Sequence, residues 1–266
     1  MKLGFIGAGN MARAIINGWS SQGQKAEIYL HSAHKASYEP YAKEHGLHAC
    51  TSNTEVVSKA DIIFLAVKPL VLAEVLHEIK ETVQAKKPVV VSMVTGVSIA
   101  EIADLLELTP KELEVIRIMP NVNAEIAAGM TALNASPAVT ETNFLRVKGL
   151  FEMIGQTEIL PEKDFSTFVA LAGSSPAYVY FFIDAMSRAG VKYGLKKGQA
   201  TKIAAQAVLG SAQKVLADQK TPMQLVDDVC SPGGTTIAGL LAMEEAGFMT
   251  AVIKGMDATI NKDQGK

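Results

Sequence analysis

The chain has 266 residues, 48% of them hydrophobic and 20% charged, which is enough apolar material for one large domain or two smaller ones. Its 25 basic and 27 acidic residues give a net charge of −2, which argues against a nucleic-acid partner because such proteins carry a basic surplus. Two cysteines, Cys50 and Cys230, are too few for a disulfide framework and favour a reducing, cytoplasmic compartment.

Short apolar runs alternate with amphipathic stretches over residues 1–160. The runs are continuous rather than alternating, which is typical of strands buried on both faces, so we expect strands at Leu3–Ile6, Glu27–Leu30, Ile62–Ala66, Val89–Met93 and Val115–Ile118. Helices are expected between them, at Ala12–Gln22, Lys35–Glu44, Leu70–Thr82 and Ile99–Leu106. This alternation predicts an α/β domain with a parallel sheet. Two edge strands are expected at Met130–Leu133 and Thr157–Leu160, with another helix at Glu141–Ile154 between them.

A glycine-rich motif follows the first predicted strand and opens the first predicted helix. The residues Gly7-Ala8-Gly9-Asn10-Met11-Ala12 match G-x-G-x-x-G/A in the context that this motif requires. Gly7 would permit the tight turn, Gly9 would let the backbone approach a pyrophosphate, and Ala12 would let the helix pack close to the sheet. The pattern predicts a dinucleotide-binding site at the N-terminus of the chain.

The end of the second strand indicates which dinucleotide binds. NAD sites usually place a carboxylate about 20 residues beyond the glycines, on the ribose 2′-hydroxyl. Here the chain reads His31-Ser32-Ala33-His34-Lys35, with no carboxylate before Glu39. Such donors suit a 2′-phosphate, so we expect NADP(H) to be preferred and NAD(H) to remain possible. In the alternative interpretation, His34 and Lys35 are only a solvated helix start.

A lysine follows the third predicted strand, in the sequence Ala66-Val67-Lys68-Pro69. Pro69 is suited to the first turn of a helix, where its missing N–H costs nothing. Ligands of parallel sheets bind beyond the carboxyl ends of the strands, so Lys68 is expected near the cofactor. The alternative is an ordinary surface lysine.

The pattern changes after Pro161, where strand-like runs end. Helices are expected at Phe165–Leu171, Ala177–Tyr193, Lys197–Asp218, Met223–Val229, Ile237–Ala246 and Gly247–Asn261. The first half of Ala177–Tyr193 is apolar on nearly all sides and must be covered all round. About a hundred residues of helix cannot supply that cover alone, so a homo-oligomer is expected.

An uncharged run from Phe165 to Ile183 has the length of a membrane span. Its centre is polar and contains Gly173, Ser174, Ser175 and Pro176. We therefore expect two buried helices joined by a polar turn, and no membrane partner.

Two polar turns in the helical half have the composition of anion sites. Ser174 or Ser175 would cap the apolar helix, with Pro176 in its first turn. The second turn, Ser231-Pro232-Gly233-Gly234-Thr235-Thr236, combines glycines and hydroxyls at a helix start. Together they predict a small substrate with a carboxylate, and ordinary helix capping is the alternative.

The chain resembles the pyrroline-5-carboxylate reductase family over nearly its whole length. The resemblance is carried by residues 5–12, Ala66-Val67-Lys68-Pro69, Arg117-Ile118-Met119-Pro120-Asn121 and, above all, 229–238, Val-Cys-Ser-Pro-Gly-Gly-Thr-Thr-Ile-Ala. It implies an N-terminal Rossmann-like dinucleotide-binding domain (1–160) followed by an all-α substrate and dimerisation domain (161–266). It also implies interlocked homodimers that can assemble into larger rings, up to a decamer.

The same resemblance implies a reaction and a set of contacts. A hydride would pass from the nicotinamide to the C=N carbon of 1-pyrroline-5-carboxylate, giving L-proline in the last step of its biosynthesis. Cofactor contacts would fall on Gly7, Ala8, Gly9, Asn10, Met11, Ser32, His34, Asn53, Val67, Lys68 and Thr95. Substrate contacts would fall on Ser174, Ser175, Gly234, Thr235 and Thr236, and the Thr236 hydroxyl is our candidate to bond the ring nitrogen.

The chain departs from the usual family pattern at Ser175, Asn123 and Asp228, where glycine, proline and asparagine are frequent. A diverged, non-catalytic dinucleotide-binding protein is therefore one alternative. Another is a different imine reductase or a β-hydroxyacid dehydrogenase, whose lysine base could be Lys192, Lys196 or Lys197.

A metal site is not expected. The spaced pairs His31/His34 and His45/His48 lack a third ligand, and structural or catalytic metal sites need three or four. Cys230 is interpreted as a small packing residue rather than a nucleophile.

Overall fold

The computed structural model describes all 266 residues, which form two compact units. The first unit comprises Met1–Ser174 and Thr259–Lys266, and the second comprises Ser175–Ala258. The boundary expected at residues 160/161 lies earlier in the chain than this division.

The first unit contains one eight-stranded sheet. Its strands are β1 (Lys2–Ile6), β2 (Glu27–His31), β3 (His48–Ala49), β4 (Ile62–Leu65), β5 (Val89–Ser92), β6 (Val115–Met119), β7 (Gly129–Ala135) and β8 (Gly155–Ile159). They are ordered β3-β2-β1-β4-β5-β6-β7-β8, and all neighbours are parallel except β6 and β7. Seven α-helices lie wholly within this unit: α1 (Asn10–Ser21), α2 (Lys35–Glu44), α3 (Asn53–Lys59), α4 (Pro69–Lys86), α5 (Ile99–Leu105), α6 (Glu141–Glu152) and α7 (Phe165–Phe168). The α/β fold predicted from the strand pattern is confirmed.

Alternate side chains of the central strands build the core on both faces of the sheet. On one face Phe5 and Phe64 stack at 4.6 Å, and Trp19 of α1 packs edge-on against both rings. The Trp19 indole donates a buried hydrogen bond to the Leu150 carbonyl (2.7 Å). On the other face, strand residues such as Ile63 pack with α3, α4 and α5. This burial on both faces explains why the strands are continuous apolar runs.

The sequence pattern missed β3 and α3, and it misplaced β7. β3 has two exposed residues, and α3 has only seven, so neither supplies a hydrophobic period. The N-terminus of α3 is fixed by Ser52, whose hydroxyl accepts from the Glu55 N–H. β7 was expected at an edge, but β8 lies outside it and β7 runs antiparallel to β6.

The two helices expected at Phe165–Leu171 and Ala177–Tyr193 are present as α7 with a π-helical extension and α8 (Ser175–Lys192), and they meet at Ser174. The expected burial of both is wrong for α8, in which only Pro176 and Ser187 are buried. α7 passes into a π-helical turn over Val169–Gly173, and Ser174 is a bend before the next helix. Pro176 has no N–H to donate to Ala172 four residues earlier, which is in keeping with the irregular turn before α8. By length and composition, Glu162–Lys192 could also cross a membrane, and 22% of its most apolar 18-residue stretch is buried within the chain.

The second unit is helical and largely uncovered. It contains α8 (Ser175–Lys192), α9 (Lys197–Ala217), α10 (Pro222–Val229), α11 (Thr235–Glu245) and most of α12 (Phe248–Asp263). α8 and α9 pack closely, since a Cβ on Gly190 would lie 2.9 Å from the Ala200 Cβ. Large apolar side chains nevertheless stay exposed, such as Phe181 (78%) and Leu216 (84%). No residue of α10 or α11 is buried.

Candidate active site

The glycine-rich turn lies where the strand order reverses. The chain proceeds outward from β1 to β2 and β3, then crosses to β4 on the other side of β1. Ligands of open α/β sheets bind at such a switch point, beyond the carboxyl ends of the strands. Gly7 has φ +102°, and a Cβ there would lie 2.4 Å from the Ala66 carbonyl oxygen at the end of β4. Its N–H donates to the His31 carbonyl (2.8 Å), which joins the turn to the end of β2.

Gly9 leaves open space above the N-terminus of α1. It is the N-cap, no side chain caps this helix end, and a Cβ on Gly9 would meet nothing within 4 Å. Ala8 precedes it, Asn10 and Met11 form the first turn of the helix, and Ala12 is buried against the sheet. Unpaired N–H groups with room above them suit an anion. The residues present therefore fit a dinucleotide pyrophosphate.

The end of β2 carries hydroxyl and imidazole groups. Ser32 and His34 lie between β2 and α2, and His34 is the N-cap of α2 without a capping side-chain bond. No carboxylate occurs in this segment before Glu39, which is paired with Lys35 at 3.3 Å. The environment lacks the acidic group that would bind a ribose 2′-hydroxyl.

Asn53 lies beside this segment, but its side chain already has two partners. It is 8% exposed, and its Nδ2 donates to Glu78 Oε2 (2.6 Å). This bond orients Oδ1 towards His31, whose Nδ1 lies 2.7 Å away and must donate. Asn53 thus fixes the His31 ring. Its expected contact with a cofactor would have to use the second N–H of Nδ2 or the remaining lone pair of Oδ1.

The ends of β4 and β5 bring three more of the expected residues to the same edge. Val67 and Lys68 follow β4, and Lys68 is the exposed N-cap of α4. Thr95 follows β5, next to Gly96 at φ +75°. Because these strands are parallel to β1, their carboxyl ends lie at the edge that holds the glycine turn.

One residue at this edge was not found from the sequence. Arg13, in α1, donates from Nε to the Ala8 carbonyl (3.0 Å) and from Nη2 to Ser37 in α2. It follows the glycine motif by one residue, so position relative to the motif was the only signal available.

The second unit holds the expected substrate residues of the Ser231–Thr236 turn. Gly233 has φ +69°, and the Gly234 N–H donates to the Ser231 carbonyl (3.0 Å). The positive φ favours glycine at 233, and a Cβ on Gly234 would lie 2.4 Å from the Ser231 hydroxyl, which would have to rotate away. Gly234 is the N-cap of α11, and no side chain caps the helix. Thr235 and Thr236 are therefore exposed hydroxyl residues that are not used as caps.

The other expected substrate residues, Ser174 and Ser175, lie at the division between the units. The Ser174 N–H donates to the Val169 carbonyl (2.7 Å) within the π-helical turn, and Ser175 begins α8. Ser174 and Ser175 thus lie at the start of α8, with Pro176 in its first turn, as the sequence predicted.

Two of the three lysines considered as a general base, Lys192 and Lys197, already have side-chain partners. Lys197 and Arg188 both pair with Asp184, and the Lys192 ammonium lies over the Tyr193 ring. Lys197 is thus held in an ion pair with Asp184 on the surface of the second unit. Nowhere does the chain bring three His, Cys, Asp or Glu side chains together as a metal site would require.

Two family models match the chain. The model for pyrroline-5-carboxylate reductase dimerisation matches residues 162–266. The model described as NADP oxidoreductase, coenzyme F420-dependent, matches residues 2–96. The first covers the helical residues and the second covers the glycine turn with its flanking strands.

Relatives and solved structures match over the full length. The chain is 40% identical to pyrroline-5-carboxylate reductase of Escherichia coli, covering 99% of this chain and 97% of that one. It is 38% identical to pyrroline-5-carboxylate reductase 3 of Danio rerio, covering 97% and 88%. The structure of the Streptococcus pyogenes reductase superimposes with TM-score 0.90 and 37% identity, covering 100% and 99%. That of a Plasmodium falciparum pyrroline carboxylate reductase with NADP bound superimposes with TM-score 0.88 and 30% identity, covering 100% and 97%.

Proposed function

The chain belongs to the pyrroline-5-carboxylate reductase family, and on that premise we propose that it reduces 1-pyrroline-5-carboxylate to L-proline with a hydride from NADPH. The observation that carries this proposal is the pair of helix starts with a glycine N-cap and no capping side chain, Gly9 of α1 and Gly234 of α11, one in each unit. The first suits a dinucleotide pyrophosphate and the second suits a small carboxylate.

The first unit would hold the cofactor through the edge already described. Gly7, Ala8, Gly9, Asn10 and Met11 would hold the pyrophosphate, and Ser32 and His34 the adenosine end. Val67, Lys68 and Thr95 at the ends of β4 and β5 would lie along the nicotinamide half, with Asn53 supporting the adenosine side. When bound, the nicotinamide supplies the hydride, so the protein has to position it rather than activate a nucleophile.

The turn before α11 would hold the substrate. Backbone N–H groups near Gly234 and Thr235, with Ser174 and Ser175, would bind the carboxylate, and the Thr236 hydroxyl would bond the ring nitrogen. A protonated imine is already electrophilic, so this hydrogen bond needs only to orient the ring and stabilise its changing charge. The uncapped state of α11 supports this assignment because both threonine hydroxyls remain available.

The exposed apolar surface of the second unit would form the subunit interface. The match to the family's dimerisation model covers it, and Phe181 and Leu216 are the kind of side chains that a second copy buries. We propose a homodimer that can assemble further, up to a decamer, in the cytoplasm, with residues 1–160 serving the dinucleotide and 161–266 serving substrate and dimerisation.

The test is a steady-state assay of NADPH oxidation with 1-pyrroline-5-carboxylate, with proline quantified in parallel. We expect one proline formed for each NADPH oxidised. NADPH binding without turnover would instead indicate a non-catalytic dinucleotide-binding protein. Turnover with β-hydroxyacids but not with the pyrroline would indicate the alternative dehydrogenase.

A further inference from the structure

We propose that Arg13 is the residue that distinguishes NADPH from NADH, by binding the 2′-phosphate of the adenosine ribose. The proposal rests on the proposed function for its ligand, and it assigns the selectivity to a residue outside the polar segment after β2. It is argued from where the guanidinium is held, from the charges around it and from the donors it leaves unused.

The Arg13 guanidinium joins the two segments that flank a dinucleotide ribose in this fold. Nε donates to the carbonyl of Ala8 in the glycine turn (3.0 Å). Nη2 donates to the Ser37 carbonyl and hydroxyl, both at 2.9 Å, in the first turn of α2. The adenosine ribose lies between the glycine turn and the end of β2 in such folds, and a nearby arginine is a known way to accept a 2′-phosphate there.

The Tyr41 ring supports one face of the Arg13 guanidinium and helps to fix its orientation. Its Cζ lies 4.7 Å from the centre of the Tyr41 ring, within the range of a cation–π contact. The Tyr41 hydroxyl donates to Asn17 Oδ1 (2.8 Å), so the ring itself is fixed. A side chain fixed at three points loses little conformational entropy when it binds a ligand.

No carboxylate neutralises this cation. Its hydrogen-bond partners are a carbonyl and a serine, and it forms no ion pair. Burial raises the pKa of Tyr41 to about 12, so the phenol beneath the guanidinium stays neutral at physiological pH. Glu39 on α2 is paired with Lys35. Glu44 and Glu125 act electrostatically on Tyr41, but neither forms an ion pair with Arg13. Arg13 therefore has no ion-pair partner that an anionic ligand would have to displace.

The donors that remain have the geometry for a phosphate. Nε and Nη2 are used within the chain, whereas the two N–H groups of Nη1 have no partner there. A planar guanidinium pairs with phosphate oxygens through charge-assisted hydrogen bonds, which are about twice as strong as neutral ones. NADH presents a hydroxyl at this position, which gains no comparable bond.

The experiment compares cofactor affinities of Arg13→Met and Arg13→Lys by fluorescence titration with NADPH, NADH and 2′,5′-ADP. Methionine keeps an apolar stem on Tyr41 and removes every donor. We expect Arg13→Met to weaken NADPH and 2′,5′-ADP by about 10- to 100-fold, with NADH changed less than about threefold. Arg13→Lys keeps the charge without the fork and should lose an intermediate amount of NADPH affinity.

Lys43→Gln is the matched control, because it removes one charge from the exposed last turn of α2. It should change neither affinity. Equal weakening of NADPH and NADH in Arg13→Met would show that the residue only braces the glycine turn, and unchanged NADPH affinity would also overturn the proposal. If Arg13→Met does not fold, Arg13→Lys decides by the same comparison. Failure of the wild-type protein to bind either dinucleotide would contradict the proposed function instead.

Discussion

The side chain of Asn121 donates from Nδ2 to the main-chain carbonyl of Ala172 at 3.0 Å, across 51 residues of sequence. The carbonyl needs this partner because the residue four positions later is Pro176, which has no N–H. Asn121 is 5% exposed, and its Oδ1 accepts from the Met130 N–H (3.3 Å). The asparagine that follows β6 thus completes the hydrogen bonding of the π-helical turn.

Asn121→Ala should lower the free energy of unfolding by about 1–3 kcal/mol, because it leaves a buried carbonyl without a donor. The effect should shrink in the Pro176→Ala background, where residue 176 can donate to Ala172 itself. A double-mutant cycle by urea denaturation at fixed protein concentration measures this coupling. Asn261→Ala, on an exposed helix face, is the control and should change stability by less than about 0.5 kcal/mol. Additive losses in the cycle would contradict the link between Asn121 and Pro176.

The central strands could be predicted from the sequence because each is buried on both faces and reads as an apolar run. β3 and α3 could not, since two exposed residues and a seven-residue helix carry no period. The break near Gly173 could be predicted because glycine, serine and proline usually interrupt helices. The π-helical form of the turn could not, since its Ala172 carbonyl is bonded by Asn121, which is distant in sequence.

The glycine turn could be predicted because its function is encoded in consecutive residues. Arg13 could not be assigned in the same way. Its meaning depends on Ser37, 24 residues later, and on the Tyr41 ring, which only the packing of α1 against α2 brings beneath it. Asn53 was expected at the cofactor from its place in the sequence. Its side chain pairs with Glu78 and His31, which the local sequence does not reveal.

Gly7→Ala should lower stability, whereas Gly9→Ala should lower the affinity for NADPH. At Gly7 a Cβ would meet the Ala66 carbonyl and φ is positive, so we expect a loss of stability of about 2–4 kcal/mol. At Gly9 the space is open, so the melting temperature should stay nearly unchanged while the Kd for NADPH rises about tenfold or more, since the methyl group occupies the room left for the pyrophosphate. Thermal unfolding and fluorescence titration separate the two. Unchanged NADPH affinity in Gly9→Ala would place the pyrophosphate elsewhere.

Ser32→Asp should reduce the preference for NADPH. A carboxylate at the end of β2 repels a 2′-phosphate and can accept from a ribose hydroxyl. We expect the ratio of kcat/KM for NADPH to that for NADH to exceed one in the wild type and to fall at least about tenfold in the variant, or about 1.4 kcal/mol. Ser32→Ala is the control for loss of the hydroxyl alone. A wild-type ratio of one or less would refute the assignment of NADPH as the preferred cofactor.

The exposed apolar face of α8 should hold subunits together. Phe181, 78% exposed in the single chain, would be buried by a second copy, so Phe181→Glu should shift the mass measured by light scattering towards the monomer. Leu145→Glu, on α6 of the first unit and also exposed, is the matched control and should leave the mass unchanged. The wild type should show no stable monomer at micromolar concentration, and a monomer there would exclude this interface.

The last prediction concerns the reacting end, where Thr236→Val keeps the side-chain shape and removes the hydroxyl. Since Gly234 is the N-cap of α11 and no side chain caps it, the change should leave stability nearly intact. A neutral hydrogen bond contributes about 0.5–1.5 kcal/mol, and more to a charged imine, so kcat and kcat/KM should both fall about threefold to a hundredfold. The Kd for NADPH, measured by fluorescence, should barely move. Full turnover, or loss of cofactor binding together with activity, would remove Thr236 from the substrate site.

Ser175→Gly tests the other turn at the reacting end. If the serine side chain only intrudes on the carboxylate site, activity should persist or rise in this variant. A collapse of activity would mean that this chain uses the extra hydroxyl for its substrate.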